Sequence, residues 1–247
     1  MLQGKFVQEL EIRTMLEREA KYVSSDSIDK PISIPTLRKC FSSHELYLIP
    51  RRQIIGKDYY VDSESFELIK SGLTIKHTLD ERYLFRVKYR IEESETYSVY
   101  REIEVYGDGT ALETLNSPVL WTNPILAFAK KKVLRSTAYG LPKLSEMGLR
   151  NFVVSNVDRT YYQVEYADPT KMRGSGFRFV VLALDNIRGW TDCSKFVEFN
   201  EIEVEIVDWS ENWKDLSNRA HLALVQAGYK IDHRSKYEKI CSYSGCI

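Results

Sequence analysis

Two stretches of this chain alternate charged and apolar residues with the period of a β-strand. Near the end of the chain, Glu201-Ile202-Glu203-Val204-Glu205-Ile206-Val207 places its carboxylates on one face of a strand and β-branched residues on the other. Near the beginning, Glu9-Leu10-Glu11-Ile12-Arg13 has the same alternation. Carboxylates on neighbouring strands repel one another unless cations lie between them, and hard divalent cations prefer such ligands. The two stretches therefore indicate a shared acidic site.

A third stretch, Tyr83–Arg90, carries the opposite charge on one face, with Arg86, Lys88 and Arg90 opposed to large apolar residues. A flat, solvated sheet face gives no reason to sort acids and bases by strand. In a closed barrel the charged faces point inward and form a polar tunnel. Carboxylates on one wall would hold a divalent metal, and cations on the others would hold a polyanion. A di- or triphosphate with its metal needs both.

The remaining hydrophobic pattern predicts one domain of about eight strands with helices outside, within the usual range of strand counts. Further strand patterns are interrupted by turn signals, by a polar break at 189–194 and by amphipathic or capped stretches that favour helices. The predicted strands are 6–15, 53–61, 73–78, 83–90, 97–106, 159–166, 177–184 and 197–207, and the predicted helices are 34–41, 66–70, 123–135 and 213–227.

Composition adds exclusions rather than a function. The 247 residues carry equal numbers of basic and acidic side chains, so no general attraction to nucleic acid or to a membrane is expected. The four cysteines form no Cys-x-x-Cys pair, which argues against a zinc site. Because no apolar run approaches about 20 residues and no secretion signal is present, we expect a cytoplasmic protein without a membrane partner.

Taken in chain order, these patterns resemble the CYTH superfamily, the triphosphate tunnel metalloenzymes, over about residues 6–240. The family opens with Glu-x-Glu-x-Lys, which resembles Glu9-Leu10-Glu11-Ile12-Arg13, with Arg13 where lysine is usual. Other resembling segments are Tyr59-Tyr60-Val61-Asp62, Leu73-Thr74-Ile75-Lys76, Arg86-Val87-Lys88, Arg101-Glu102-Ile103-Glu104, Leu184-Asp185, Glu201 to Glu205 and Ser235-Lys236-Tyr237. On an ideal strand Arg101 cannot share a face with Glu102 and Glu104, so one assignment is wrong or a bulge intervenes.

The resemblance implies an α+β fold, with a closed antiparallel eight-stranded β-barrel inside packed helices. It implies a single domain over 1–247 with a helical insert at about 111–151. It also implies Mg²⁺ or Mn²⁺ and hydrolysis of inorganic triphosphate, a nucleoside or thiamine triphosphate, or an RNA 5′-triphosphate, with release of the γ-phosphate. The implied metal ligands are Glu9, Glu11, Asp185, Glu201, Glu203 and Glu205; the implied substrate-binding cations are Arg13, Lys76, Arg86, Lys88, Arg101, Arg159, Arg178 and Lys236; and the implied catalytic residues are Glu11, Lys88 and Glu205.

Two other functions stay open. A class IV-type adenylate cyclase would use the same metal and phosphate clamp, but it must also hold adenine and ribose, and no dedicated base pocket is visible in the sequence. A non-catalytic polyphosphate- or nucleotide-binding module would keep the basic lining without the metal, against which the carboxylates at both ends of the chain argue. Each alternative keeps the expected partner, a triphosphate-containing small molecule or the 5′ end of an RNA.

Overall fold

A computed structural model of the chain describes residues 11–79, 84–106, 149–168, 180–191, 194–206 and 213–247. Within these ranges the strands are β1 (Glu11–Ser24), β2 (Leu46–Ser63), β3 (Leu73–Leu79), β4 (Leu84–Glu93), β5 (Ser98–Tyr106), β6 (Leu149–Tyr166), β7 (Val180–Thr191), β8 (Phe196–Ile206) and β9 (Tyr229–Ile231). The helices are α1 (Ile34–Ser43), α2 (Glu67–Lys70), α3 (Trp213–Gln226) and α4 (Lys236–Tyr243).

The first eight strands form an antiparallel sheet that closes on itself. Around the ring the order is β1, β5, β4, β3, β2, β6, β7 and β8, and β8 pairs again with β1. The short β9 adds to the end of β1 beside this ring. The eight-stranded closed sheet expected from the alternating patterns is therefore confirmed, with the helices outside it.

The alternation along the strands separates an apolar outer face from a charged inner face. On β8, Ile202 and Val204 are buried in the core outside the ring, while Glu203 between them faces inward. On β4, Val87 is fully buried and its neighbours Arg86 and Lys88 face inward. Because strand side chains alternate with a period of two, both patterns give the face of each residue correctly.

Two helices cover the apolar outer face. In α1, Ser33 caps the first turn, Pro35 lies within that turn, and Leu37 and Phe41 are fully buried. In α3, the buried face consists of Leu216, Ala220, Ala223 and Leu224, which join the same core cluster. Among the described residues, no helix is both long and apolar enough to cross a membrane.

Several element boundaries differ from the predicted ones. β1 runs on to Ser24, and β7 continues through Gly189 to Thr191, where the sequence indicates a polar break. Helix α4 and strand β9 were not predicted. The expected helix 123–135 and most of the expected insert at 111–151 lie outside the described residues.

Candidate active site

A charged cavity of about 240 Å³ lies inside the ring. Side chains from β1, β5, β4, β3, β2, β6 and β8, together with the start of α4, contribute to its wall. Tyr60, Tyr100 and Tyr161 supply aromatic surface. The charged residues of the wall are Glu17, Glu19, Glu102, Glu104, Glu203 and Glu205 on the acidic side and Lys21, Lys76, Arg86, Lys88, Arg159 and Lys236 on the basic side.

The deepest charges form a buried ion-pair cluster of Asp185, Glu201, Glu203, Arg159, Lys236 and Lys239. One oxygen from each of the three carboxylates lies within 4.8 Å of the others, a spacing that would suit a metal ion. The Lys236 ammonium already lies among them, at 2.9 Å from Asp185, 2.9 Å from Glu201 and 2.5 Å from Glu203.

The other two cations complete this cluster. Arg159 donates two hydrogen bonds of 2.6 Å to Asp185, and it also pairs with Glu203. Lys239 pairs with the second oxygen of Glu201, and both side chains are fully buried. Each carboxylate of the cluster therefore has a cation from the chain itself. Burial alone would raise the pKa of Glu203, but Arg159 and Lys236 hold that pKa well below its usual value.

Helix α4 delivers the two lysines of the cluster. Ser235 caps the helix in a reciprocal capping box with Glu238, which fixes the chain just before Lys236. The ring of Tyr237 stacks on Tyr60 at 5.3 Å between centroids. A side chain at Gly189 on β7 would not fit, since a Cβ there would lie 2.8 Å from the Ile240 side chain. The close approach of helix and strand thus places Lys236 and Lys239 beside β7 and β8.

Two carboxylates of the wall, Glu17 and Glu205, have much less compensation, and we call them the acidic pair. Burial raises the pKa of Glu17 to about 8, with Lys88 opposing the rise and Glu19 adding to it. Burial likewise raises the pKa of Glu205, although Arg159 lies 3.1 Å away.

Glu19 lies between the members of the acidic pair. It is directly opposite Glu205 in the pairing of β1 with β8, where side chains of one face are close neighbours. Burial opposes its ionisation, yet Lys21 and Lys88 lower its pKa to about 2. A carboxylate with a lowered pKa thus stands beside two carboxyl groups whose pKa values burial raises.

Cations from β3 and β4 also contribute to the wall. Lys88 lies 2.5 Å from Glu17, 3.0 Å from Glu19 and 3.5 Å from Glu102. Although burial disfavours its charge, these carboxylates hold the Lys88 pKa well above its usual value. Arg86 pairs with Glu104 at 2.7 Å, and Lys76 pairs with Asp58 at 2.8 Å. Lys88 and Arg86 therefore stay positively charged near neutral pH, whereas burial lowers the pKa of Lys76.

The structure brings together about half of the residues that the sequence singles out. Those that line the cavity are Lys76, Arg86, Lys88, Arg159, Lys236, Glu203 and Glu205. Glu9 and Arg178 lie outside the described residues, and Glu11 is described by its backbone alone, opposite Tyr106 at the start of β1.

Four further residues are not part of the cavity wall. Arg101 is exposed, since it is on the opposite face of β5 from Glu102 and Glu104. As strand alternation requires, Arg101 does not share the inner face with these two carboxylates, and it is Arg101 that faces outward. Arg13 is also exposed, beyond the wall residues of β1. Asp185 and Glu201 lie beneath the wall, where lysines of α4 and Arg159 neutralise them.

Sequence reasoning missed the segment of β1 that faces the cavity, Glu17-Arg18-Glu19-Ala20-Lys21. This segment has the complete Glu-x-Glu-x-Lys pattern, with lysine at the last position, so the signal was present. It shares strand parity with Glu9, Glu11 and Arg13, and alternation alone does not separate the two segments. Glu102, Glu104 and Tyr161 are further wall residues that were not assigned a role.

No family model matches the sequence, and no curated protein matches it. Among solved structures, the chain is similar to HpAC1 from Hippeastrum, a putative adenylyl cyclase with a dominant triphosphatase activity. The TM-score is 0.55 at 16% identity, over 92% of this chain and 96% of that one. Weaker similarity extends to the PH1819 protein of Pyrococcus horikoshii, with a TM-score of 0.48 at 16% identity, over 92% of this chain and 99% of that one.

A third similar structure is a putative adenylate cyclase from Bacillus halodurans, with a TM-score of 0.46 at 12% identity, over 92% of this chain and 97% of that one. At these identities the similarity is one of fold. The match to HpAC1 spans nearly the whole of both chains, and it agrees with the closed ring and its charged interior. The chain therefore shares the fold of HpAC1, a closed antiparallel ring around a charged interior.

Proposed function

We propose that this chain is a divalent-metal-dependent triphosphatase that transfers the terminal phosphoryl group of a triphosphate to water. The observation that carries the proposal is the unequal compensation of charge inside one cavity. The cavity wall carries cations and carboxylates together, and each member of the acidic pair has one close cation, Lys88 at Glu17 and Arg159 at Glu205, whereas Glu203 has three. A polyanion that arrives with a divalent cation complements the cations and the acidic pair at once.

The cations suited to holding phosphate oxygens are Lys76, Arg86, Lys88 and Arg159. All four line the cavity and come from three strands, β3, β4 and β6, so they can contact a bound chain from more than one direction. Charge-assisted hydrogen bonds from such groups are stronger than neutral ones, and a preorganised cation costs no reorganisation when charge develops on the transferring group. Lys236 lies deeper and is already shared by three carboxylates.

The carboxylates suited to Mg²⁺ or Mn²⁺ are Glu17, Glu19 and Glu205. Their donor atoms are all carboxylate oxygens, which both ions prefer. Glu19 and Glu205 are directly opposite one another on paired strands, an arrangement of like charges that is unfavourable without a cation between them. The raised pKa values of Glu17 and Glu205 have the same origin, burial in the presence of neighbouring carboxylates.

Such a metal would supply charge neutralisation at the phosphates and a more acidic water. The chain's own residues would align the phosphates and exclude bulk water from the cavity. Arg159 is the link between the two functions, because it donates to Glu205 at 3.1 Å and also lines the cavity beside the other cations. The dominant triphosphatase activity of HpAC1, on the same fold, supports hydrolysis over the alternatives.

The test is product analysis with inorganic triphosphate, ATP and a 5′-triphosphorylated RNA, each with Mg²⁺ or Mn²⁺. The proposal predicts metal-dependent release of phosphate from at least inorganic triphosphate, and loss of this release with a chelator. Cyclic AMP from ATP would instead establish the cyclase, which the description of HpAC1 as a putative adenylyl cyclase keeps as the second candidate. Tight binding with no product would establish the non-catalytic module.

A further inference from the structure

Beyond the cavity wall, two consecutive arginines occupy an irregularity in β2. The pairing of β2 with β6 is regular up to Pro50 opposite Tyr162 and resumes at Gln53 opposite Thr160. Between these two pairs β2 has two residues, Arg51 and Arg52, and β6 has one, Tyr161. An extra residue of this kind is a β-bulge, and bulges next to active sites re-aim side chains.

The bulge directs both arginines towards the same face of β6. The Arg52 guanidinium carbon lies 5.0 Å from the centre of the Tyr161 ring. Arg51 donates a hydrogen bond to the Gln163 side chain, and its nearest carboxylate, on Glu165, is 3.9 Å away. Tyr161 and Gln163 are two residues apart on one strand and so share a face, which is the face that lines the cavity.

Tyr161 connects these arginines to the cavity. It lines the cavity, and the Arg159 guanidinium carbon lies 5.4 Å from its ring centre, with Arg159 also donating to its hydroxyl at 3.1 Å. A cation over an aromatic ring is attracted to the ring face. One ring therefore holds a cation of the cavity and a cation of the bulge.

The bulge lies at the end of the cavity away from α4. That helix packs on the first part of β6, where Val153 and Val157 share a core cluster with Tyr237. Along β6 the inward residues continue beyond this cluster through Arg159 to Tyr161, which does not belong to it. Arg51 and Arg52 are both exposed, and within the described ranges no carboxylate pairs with Arg52.

We propose that Arg51 and Arg52 form an outer anion subsite for phosphates beyond the third in a linear polyphosphate. The inference rests on the proposed function, because it extends the same phosphate chain out of the cavity. An inorganic chain continues its negative charge without interruption towards this pair of cations. In a nucleoside triphosphate or at an RNA 5′ end, a neutral ribose and base follow the α-phosphate instead of a fourth phosphate.

Guanidinium groups have donors only, and their fork geometry suits phosphate oxygens. The ring of Tyr161, which a base could otherwise stack on, already has Arg52 over it. A linear polyphosphate is therefore the occupant that the charges and the geometry favour.

The experiment compares inorganic triphosphate with linear tetraphosphate in the presence of Mg²⁺, using the wild type and the double variant Arg51→Gln/Arg52→Gln. We expect the KM for tetraphosphate to rise about tenfold, the effect of losing one charged hydrogen bond. The KM for triphosphate and kcat for both substrates should stay the same. The matched control is Arg188→Gln, which removes an exposed arginine of β7 that pairs with Glu198 and should change neither substrate.

An unchanged KM for tetraphosphate in the double variant would overturn the subsite. A 5′-triphosphorylated dinucleotide is the third substrate of the same comparison, and a rise in KM confined to it would overturn the choice of inorganic chain. A wild type that binds both anions without turnover would contradict the proposed function instead. In that case, calorimetric titration of the same two anions into the same variants still decides whether the bulge selects the longer chain.

Discussion

Glu203 and Glu205 are two residues apart on β8, face the same cavity and have opposite electrostatic surroundings. Glu203 contacts Lys236 at 2.5 Å and Arg159, with Lys21 at 3.8 Å, and its pKa is held low against burial. Glu205 has Arg159 at 3.1 Å and faces Glu19 across the strand pair, and burial raises its pKa. The number of cation partners, rather than the residue type, therefore separates a structural carboxylate from a candidate ligand.

The same contrast holds for the two regions around these residues. In the buried ion-pair cluster the Lys236 ammonium takes the central position that a metal would need. At the acidic pair, Glu17 and Glu205 are left with an unfavourable charge balance that an added cation would relieve. The first region stabilises the fold by this account, and the second supplies the chemistry.

The largest expected effect is on turnover, from Glu205→Gln. Mutating a residue that only supports a metal ligand typically costs roughly 10- to 100-fold in activity. Replacing Glu205, a proposed ligand itself, should lower phosphate release by more than this. Stability of the metal-free protein should stay equal or increase, because one charge leaves an acidic site. Steady-state phosphate release and thermal unfolding measure the two effects.

The control for this variant is Glu198→Gln on the same strand, which removes a half-exposed partner of Arg188 and should leave turnover unchanged. Full activity of Glu205→Gln, or an unfolded protein, would place Glu205 with the structural carboxylates and remove the distinction between the two regions.

The next effect is on stability, from Lys239→Met. This change leaves Glu201 in a fully buried site with one cation fewer, and breaking a buried ion pair on one side costs about 3–5 kcal/mol. Urea unfolding of the metal-free protein measures the loss. Turnover per folded molecule should persist, since Lys239 does not line the cavity.

The matched control here is Lys30→Met, which removes an exposed pair with Asp26 and should not change the unfolding midpoint measurably. If Lys239→Met were as stable as this control, the cluster would not be the structural region that we describe.

A third effect separates catalysis from binding at Lys88. Lys88→Ala removes a cation that contacts Glu17 and Glu19 and lines the cavity. We expect turnover at saturating metal to fall by roughly tenfold to a thousandfold, the scale of losing one preorganised donor. Lys88→Arg should recover only part of the loss, because a planar fork differs from a point charge. Wild-type rates in both variants would refute the assignment.

The last effect is a pH dependence of stability in the metal-free protein. The pKa of Glu17 is about 8 in the folded chain against an ordinary value of 4.5, so the folded state holds a proton that the unfolded state has lost. This contribution is complete below about pH 4.5 and is lost as the pH rises towards 8. Glu17→Gln should therefore reduce the decline in unfolding free energy between these pH values. An identical pH profile in wild type and variant would contradict the raised pKa.

Strand alternation is enough to predict the ring and the face of most of its residues. The pattern at Glu201–Ile206 and at Arg86–Lys88 gives the inner face because side chains alternate regardless of the tertiary context. Alternation does not predict where along the strand the cavity lies. Glu9, Glu11, Glu17 and Glu19 share parity, and only the pairing of Glu19 with Glu205 selects the segment that meets β8 at the cavity.

The partners of Asp185 and Glu201 were beyond sequence reasoning for a second reason. Their cations come from α4, which follows these strands after another helix and a short strand. An isolated lysine in such a tail gives no local signal of the carboxylates that it will neutralise. The resemblance assigned these acids to a metal, whereas the structure places lysine ammonium groups against them.

The most direct test of the account is the binding of Mn²⁺, titrated into the metal-free protein and followed by the loss of the free-ion electron paramagnetic resonance signal. We predict that the wild type and Lys239→Met bind the ion alike, under conditions where both are folded. We predict that Glu205→Gln and Glu17→Gln bind it at least about tenfold more weakly. Tenfold is the lower end of the loss in metal affinity when a residue that hydrogen-bonds to a metal ligand is mutated. Unchanged affinity in both glutamine variants would contradict the claim that the acidic pair, rather than the buried ion-pair cluster, holds the metal.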